Sequence, residues 1–250
     1  MFKFETINNK KILKSDILTG AQHFFTTRES VVTPKEMDDL KDLCAQNILD
    51  IAQYLNIPKE NIIAPVQTHS CNIAVAKKGN TYEDTDSLVV EDSDIAILLN
   101  FADCTPVILY DEVNNIGAIA HAGWRGTAVA IAPKTIKFMM QRYSTKPENI
   151  TAVIGPAISM KNYQVDKNVY DTVPSTLINT YNDYYSYDEN SKKYNIDLKT
   201  VNFHQLSELG VKRIDKCNYC TYDSVDVFFS YRKENGITAR HSAILKLNDK

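Results

Sequence analysis

Several features are scarce in this chain, and each scarcity excludes a class of protein. Lysine and arginine total 28 against 31 acidic residues, which leaves no basic excess to neutralise a nucleic-acid backbone. The longest apolar stretch, around residues 95–102, is too short to span a bilayer. The N-terminal MFKFETINNK lacks the apolar core of a signal peptide. We therefore expect a cytoplasmic protein that binds neither a membrane nor a nucleic-acid polymer.

Cysteine is also scarce, and its pattern indicates reduced thiols. The chain has five cysteines, an odd number without the density of a secreted disulfide scaffold. Cys217 and Cys220 form a single CxxC motif, but no second CxxC completes a four-cysteine zinc site. No thioredoxin-like context surrounds the motif either. We therefore expect a structural role for this pair, with metal binding or redox chemistry as the weaker alternative.

The remaining composition is that of an ordinary globular protein. With 250 residues, of which 44% are hydrophobic and 24% charged, the chain can bury a full core. No internal repeat, Gly/Ser linker or low-complexity tract divides it, so we predict a single domain over residues 1–250. The polar, tyrosine-rich stretch 181–194 is interpreted as an exposed insertion within that domain. The sequence is compatible with a homodimer but does not indicate one.

Periodicity and capping residues predict interspersed helices and strands. A helix is expected at 33–55, with Thr33 as N-cap, Pro34 at the first helical position and Glu36 as capping-box glutamate. Further helices are expected after Trp124 with a kink at Pro133 or a start near Ala132, at 166–181, and at 198–209 before Gly210. Strands are expected at 62–66, 72–76, 95–101, 106–110, 116–120, 151–154 and 227–231. Because several strands follow one another between residues 62 and 120, a mixed sheet is favoured over strict βαβ alternation. The predicted class is α/β in the loose sense, or α+β.

Three candidate metal ligands occur directly after apolar runs. His69 follows IIAPVQT, Cys104 follows IAILLNFAD and His121 follows IGAIA. Their separations of 35 and 17 residues match no zinc-finger spacing, so only the fold could bring them together. Two imidazoles and a thiolate suit Zn²⁺ and leave the fourth tetrahedral position open, as in catalytic sites. The alternative is that the histidines are structural and Cys104 is a buried thiol.

Other residues near these ligands could take part in chemistry. Asp103 places a carboxylate beside Cys104, and the glycines around Arg125 in AHAGWRGTA would let a ligand approach the backbone. The run FFSYR predicts a strand that delivers Arg232 to a cleft, where a guanidinium could bind phosphate. An ordinary surface salt bridge is the alternative. Arg28 and Arg240 are weaker candidates for the same task.

A set of motifs, taken in order along the chain, resembles one known family. They are QTHS at 67–70, TDSL at 85–88, ADCTPVILYD at 102–111, AHAGWRGTA at 120–128, IGPAIS and YQVD between 154 and 166, and the C-terminal CNYC with FFSYR. The family is that of the purine nucleoside phosphorylases formerly described as multicopper polyphenol oxidases, or laccase-domain proteins. HAGWRG together with ADCxPV is highly specific to it, and the motifs cover nearly the whole chain.

The resemblance implies a fold, a metal site and an activity. The fold would be a sandwich of mixed β-sheets flanked by helices, and the zinc ligands would be His69, Cys104 and His121. The activity would be phosphorolysis of adenosine, inosine and methylthioadenosine, with purine nucleosides and inorganic phosphate as partners, together with adenosine deamination. A multicopper oxidase needs about ten imidazole ligands, whereas this chain has five histidines, so the oxidase reading fails and any copper would be adventitious.

Four positions depart from the family pattern. Ala157 and Ser159 stand where relatives often carry cysteines, Gln164 replaces a usual glutamate, and Phe203 replaces a frequent arginine after Asn202. These departures bear on substrate preference more than on metal binding.

Residue roles follow as hypotheses from the expected chemistry. In deamination, zinc would activate a water for attack on C6 of the purine, with Asp103 shuttling the proton. In phosphorolysis, Arg125 or Arg232 would hold phosphate against C1′ as charge builds on the sugar. Two alternatives stay open: a cysteine hydrolase or amidase that uses Cys104 activated by His121, and a non-catalytic protein that binds metal or purines.

Overall fold

The fold was obtained as a computed structural model that describes residues 1–35 and 37–249. Its strands, in chain order, are β1 Phe2–Ile7, β2 Lys10–Ser15, β3 Ala21–Thr26, β4 Ile62–Ile63, β5 Ile73–Val75, β6 Ser87–Val90, β7 Ala96–Phe101, β8 Thr105–Asp111, β9 Ile116–Ala122, β10 Ile150–Ile154, β11 Gln164–Val165, β12 Tyr185–Asp188, β13 Lys193–Ile196, β14 Arg213–Lys216 and β15 His241–Leu247. The α-helices are α1 Lys41–Leu55, α2 Trp124–Ala128, α3 Ile131–Tyr143, α4 Lys167–Thr172 and α5 Leu198–Glu208. Short 3-10 turns lie at Asp38–Leu40, Lys59–Asn61, Pro147–Asn149, Met160–Asn162 and Val173–Thr176.

Within the described residues, the strands form two six-stranded sheets and one three-stranded sheet. The first sheet has the order β1-β2-β3-β15-β7-β4, the second β14-β10-β8-β9-β6-β5, and the small sheet β11-β13-β12. Most neighbours are antiparallel, but β4 runs parallel to β7, β5 to β6 and β14 to β10. The prediction of mixed sheets is therefore confirmed.

The two large sheets pack face to face and are covered by helices on their outer sides. Successive strand residues point to opposite faces, so Phe25 enters the core between the sheets while Phe24 packs against α1. On the other side, α3 places Ile136 and Met139 against the second sheet. The layers therefore run helix, sheet, sheet, helix, and the expected sandwich flanked by helices is confirmed. Truncating a core side chain such as Leu99 to alanine would cost about 2–5 kcal/mol.

The candidate site lies where the chain crosses from one sheet to the other. Strand β7 belongs to the first sheet and β8 to the second, and the turn at 102–104 joins them. Strand β8 then pairs with β9, with Pro106 opposite His121. The hairpin brings Cys104, just before β8, next to His121, near the end of β9, although the two residues are 17 positions apart in the sequence.

Two helix predictions need correction at their ends. The first helix begins at Lys41 and not at Thr33, because the backbone carbonyl of Thr33 accepts a hydrogen bond from Arg240 N at 3.0 Å in an isolated bridge. Glu36, the glutamate expected to cap that helix, lies outside the described residues. The segment expected to be helical over 166–181 forms only α4 and a 3-10 turn that contains Pro174. The start predicted near Ala132 agrees with α3, and α5 matches its prediction closely.

Six of the predicted strands, all between residues 62 and 154, correspond to β4, β5, β7, β8, β9 and β10, whereas most strands nearer the ends of the chain were not predicted. Residues 227–231 lie in turns and not in a strand: Phe228 and Phe229 are buried there by packing, without a ladder. Strands β1, β2, β3, β6, β11, β12, β13, β14 and β15 were not predicted. The stretch 181–194 is not a simple exposed excursion, since it forms β12 and part of β13 and buries Tyr184. No helix among the described residues is long and apolar enough to cross a membrane.

Candidate metal and substrate site

The three candidate ligands meet at one point. The ligand atoms of His69, Cys104 and His121 all lie within 4.8 Å of one another. His69 Nε2 is 3.8 Å from Cys104 Sγ, and the two imidazole rings are 4.8 Å apart at their centroids. His121 is buried on β9, Cys104 is partly buried before β8, and His69 is exposed in the loop between β4 and β5. The geometry therefore unites residues that sequence spacing alone could not connect.

Asp86 organises two of these ligands, and no role was assigned to it from sequence. Its fully buried carboxylate accepts hydrogen bonds from the backbone N–H groups of Thr68, His69 and Ser70 at 3.1, 3.1 and 2.6 Å. It also lies 2.7 Å from His121 Nδ1. Asp86 thus holds the His69 loop and directs the other ring nitrogen of His121 toward the site. The TDSL motif was the available signal, but which groups its carboxylate contacts is visible only in three dimensions.

The charges of this group reinforce one another. Burial disfavours the charged form of His121, but Cys104 and Asp86 outweigh it and raise the pKa of His121 to about 9. Burial likewise opposes the Cys104 thiolate, but His121 and His69 lower the pKa of this thiol to about 6. Against burial, the hydrogen bond with His121 lowers the pKa of Asp86 to about 2. A deprotonated sulfur is therefore available as a metal ligand or as a nucleophile.

Small residues make room for these side chains. A Cβ atom on Gly123 would lie 2.8 Å from Cys104 Sγ and 3.1 Å from His69 Cδ2. A Cβ atom on Gly126 would lie 2.7 Å from the carbonyl oxygen of His121. The glycines of HAGWRG are thus required by close approach, in agreement with the expectation of little side-chain bulk beside the site. We refer to His69, Cys104, His121 and Asp86 as the metal corner.

Asp103 lies beside the metal corner, but its carboxylate is already engaged. One oxygen accepts a hydrogen bond from Thr221 Oγ1 at 2.6 Å and the other from Arg232 N at 2.7 Å. Its backbone adopts a left-handed φ of +79°, and its carbonyl accepts from Ile158 N. Asp103 therefore positions the turn that carries Arg232. The proton-shuttle role assigned to it stays a prediction.

Arg125 and Arg232 form a second part of the site with aromatic neighbours. The Arg125 guanidinium lies 4.3 Å from the ring of Trp124, and it has no hydrogen-bond or ion-pair partner among residues 1–35 and 37–249. The Arg232 guanidinium lies 5.2 Å from the ring of Tyr163 and donates to the carbonyl oxygen of Gln164 at 3.1 Å. Although 227–231 is not a strand, Arg232 is thus directed toward the site. We refer to Trp124, Arg125, Tyr163 and Arg232 as the basic rim.

Tyr163 was not singled out from sequence, although it belongs to the YQVD motif. Burial raises the pKa of its phenol above the usual range, and the nearby Cys104 and Asp103 act in the same direction, whereas Arg232 and Arg125 oppose them. The tyrosine is therefore close to both parts of the site and remains protonated at neutral pH.

The two weaker arginine candidates have structural partners. Arg28 donates to the carbonyl oxygens of Val225 and Phe228 and pairs with Glu234. Arg240 donates to the carbonyl oxygens of Thr238 and Ala239. Both guanidiniums thus hold the C-terminal turns together, which leaves Arg125 and Arg232 as the candidates for substrate binding.

The CxxC pair lies in the packing behind the site. Cys217 is buried in the core between the sheets, and Cys220 Sγ lies 3.3 Å from Ser159 N and 3.4 Å from Asn162 Nδ2. Among the described residues that could hold a metal, only the His69, Cys104 and His121 group is found. These contacts favour the structural role expected for the pair.

Of the departures from the family pattern, Ala157 and Ser159 contact Cys220, whereas Gln164 and Phe203 lie elsewhere. Ala157 bridges to Cys220, and the side chain of Gln164 donates to Ser191 Oγ at 3.0 Å, in the exposed part of the small sheet. Phe203 packs beneath Lys216 Nζ, 5.6 Å from its ring centroid. Asn202 donates to Thr127 Oγ1 at 2.9 Å and so links α5 to α2. Within the described part of the chain, the Gln164 side chain makes no hydrogen bond to the metal corner and the Phe203 ring makes no ring contact with it.

Fold and site together define an α/β sandwich protein with a His–Cys–His group that could hold a metal ion at the crossing between its sheets. The model of the multi-copper polyphenol oxidoreductase laccase family matches residues 22–248. A purine nucleoside phosphorylase of Staphylococcus epidermidis is 31% identical over 247 residues, covering 88% of this chain and 89% of that protein. The purine nucleoside phosphorylase YlmD of Bacillus subtilis is 27% identical over 263 residues, covering 97% of this chain and 91% of that protein.

Solved structures agree with the sequence relatives. YlmD from Geobacillus stearothermophilus superposes with a TM-score of 0.90 at 27% identity and covers 98% of this chain and 99% of its own. The Bacillus licheniformis protein YfiH superposes with a TM-score of 0.88 at 26% identity and covers 98% of this chain and 99% of its own. The chain therefore belongs to the laccase-domain family, and the names of its relatives support an enzyme.

Proposed function

We propose that this chain is a zinc-dependent purine nucleoside phosphorylase that acts on adenosine, inosine and methylthioadenosine and also deaminates adenosine. The observation that carries the proposal is the convergence of His69, Cys104 and His121 in a chain whose relatives are named purine nucleoside phosphorylases. We further propose that it works in the cytoplasm as a single domain spanning residues 1–250.

The donor set fits zinc. Two imidazole nitrogens and one thiolate are borderline and soft ligands, and three protein ligands leave one tetrahedral position for water or substrate. When bound, zinc supplies Lewis-acid chemistry that activates water or polarises a substrate atom. Asp86 accepts from His121 Nδ1 and so fixes the ring that would ligate through its other nitrogen. The described residues offer no second such group, which supports a mononuclear site over a multicopper one.

The basic rim supports the phosphorolysis part of the proposal. In this reaction a phosphate oxygen forms a bond to C1′ of the ribose while the bond from C1′ to the purine nitrogen breaks. The phosphate must be held close to the sugar, and cationic donors in place before the reaction lower the barrier. Among the described residues the Arg125 guanidinium has no hydrogen-bond or ion-pair partner, and Arg232 is held beside Tyr163. In deamination, water replaces the amino group at C6 and phosphate takes no part.

The test is a product screen on protein of measured metal content. Adenosine, inosine and methylthioadenosine are incubated with and without phosphate, and free base, sugar phosphate and inosine are quantified. We expect stoichiometric zinc, phosphate-dependent release of base, and inosine from adenosine without phosphate. Zinc-loaded protein that forms no product from any of the three would contradict the proposal and indicate a non-catalytic binding protein.

One observation favours a cysteine hydrolase or amidase as a second candidate function. Asp86, His121 and Cys104 form a chain in which a carboxylate orients an imidazole beside a thiol of lowered pKa, the arrangement of an activated cysteine nucleophile. Metal content separates the two candidates. A metal-free protein that hydrolyses amides and loses this activity on stoichiometric alkylation of Cys104 would establish the second one.

A further inference from the structure

Tyr163 occupies a special place in the basic rim, between cationic and anionic neighbours. The Arg232 guanidinium lies over its ring, and Arg125, Cys104 and Asp103 are all close enough to act on its phenol. Tyr163 therefore feels the charges of both the arginines and the metal corner.

The backbone and ring of Tyr163 are fixed by the protein. Its N–H donates to the carbonyl oxygen of Met160 at 3.2 Å, and its own carbonyl accepts from Ile196 N at 3.2 Å. The ring belongs to the aromatic cluster that contains Trp124 and Tyr184. A side chain held in this way loses little conformational entropy when it binds a ligand.

The hydroxyl of Tyr163, by contrast, has no hydrogen-bond partner in the described ranges, and the residue is partly exposed, so a ligand can reach this oxygen. A polar group that the protein leaves unpaired and accessible can take its partner from a ligand. A neutral phenol donates one hydrogen bond. With two guanidiniums beside it, the acceptor that best fits this donor is an anion with several oxygens.

We propose that Tyr163 binds inorganic phosphate by donating its hydroxyl hydrogen to a phosphate oxygen, while Arg125 and Arg232 supply the positive charge. The inference rests on the proposed phosphorolysis and names the residue that completes its phosphate site. A neutral nucleoside gains little from two neighbouring cations, whereas phosphate gains from both cations and from the donor. One hydrogen bond to a charged group contributes about 1.5–3 kcal/mol, which corresponds to roughly tenfold to a hundredfold in affinity.

The test removes only the hydroxyl, in Tyr163→Phe. Tyr187→Phe is the matched control, because Tyr187 lies in the small sheet that follows Tyr163 in the chain and is 43% exposed. Phosphate affinity is measured by calorimetry on the zinc-loaded protein, and the fluorescence of Trp124, the single tryptophan, reports binding at the rim. We expect Tyr163→Phe to raise the phosphate Kd and KM at least about tenfold, with nucleoside KM and zinc content within twofold of wild type.

The outcomes separate this inference from the proposed function. Wild-type protein that binds phosphate but releases no base would refute phosphorolysis, while the calorimetric comparison would still decide the role of Tyr163. A phosphate Kd and KM unchanged in Tyr163→Phe would overturn the inference, as would a rise confined to the nucleoside KM. Absence of phosphate binding to wild type, by calorimetry and by kinetics, would overturn it as well.

Discussion

The metal corner is built from side chains that the protein itself holds in place, whereas the basic rim presents groups that the protein leaves for a ligand. In the corner, Asp86 accepts several hydrogen bonds and fixes His121 and the His69 loop. In the rim, Arg125 rests on Trp124 without a polar partner in the described part of the chain. This difference agrees with the proposed function, in which a fixed metal site lies beside arginines that bind phosphate.

The largest effect on metal binding and activity is expected when a ligand of the metal corner is removed. We expect His69→Ala, Cys104→Ala and His121→Ala each to abolish zinc retention and nucleoside turnover while leaving the fold largely intact, because all three donor atoms converge on one position. Zinc is measured by mass spectrometry and turnover by base release. His204→Ala is the control, since this histidine pairs with Asp183 away from the site. A zinc-loaded and fully active Cys104→Ala protein would remove the basis of the metal assignment.

A smaller effect is expected when the support of the corner is changed and its ligands are kept. Asp86→Asn keeps the shape but places amide hydrogens against backbone donors, so we expect zinc affinity to fall by about 10–100-fold. The free energy of unfolding should fall by at least about 1–3 kcal/mol. Chelator competition and urea unfolding measure the two effects. Asp84→Asn, a neighbouring exposed carboxylate, should leave the affinity unchanged; an equal loss in both variants would show that Asp86 has no special role.

The rim should respond to change in only one of the two reactions. Arg125→Lys replaces a forked guanidinium by a point charge, so we expect a phosphate KM about tenfold higher, slower phosphorolysis and unchanged zinc content. Deamination should be less affected because it uses water. Adenine release and inosine formation are measured on the same sample. If both activities fall together, Arg125 holds the nucleoside or the metal-site loop; if neither falls, phosphate binds elsewhere.

The sequence predicted the three candidate ligands of the corner from the ends of apolar runs, but their spacing could not show that the fold brings them together. His121 ends an apolar strand, Cys104 precedes the next strand in the ladder, and the hairpin between them follows from local pattern. The contribution of Asp86 could not be predicted, since it depends on backbone N–H groups about 17 residues earlier in the chain. A carboxylate in a motif does not reveal which donors will face it.

The rim was harder to predict because it comes from distant turns. Arg232 was placed at the end of a strand, yet its segment is a series of turns whose position depends on Asp103. Strand β1 was missed because its residues are mostly exposed and show little alternation of buried and exposed positions. Elements at the edge of a sheet are set by tertiary pairing, and their own periodicity carries little information.

The smallest effect on catalysis is expected from the CxxC pair, which lies behind the site without belonging to either of its parts. Cys217→Ser with Cys220→Ser buries a hydroxyl in an apolar core and should lower the free energy of unfolding by about 1–3 kcal/mol. Zinc content and kcat/KM should stay within twofold of wild type. Cys44→Ser, at a buried thiol of α1 in a separate cluster of the core, is the matched control for stability.

This last variant can also fail in an informative way. Thr221, the neighbour of Cys220, donates to Asp103, and Asp103 holds the Arg232 turn, so a displaced Cys220 could reach the rim through two hydrogen bonds. If that path matters, the double variant would raise the phosphate KM while zinc stays bound. A loss of turnover in a stably folded, zinc-loaded double variant would therefore show that the packing behind the site positions the rim, and the boundary between structural and functional residues would move to include Cys220.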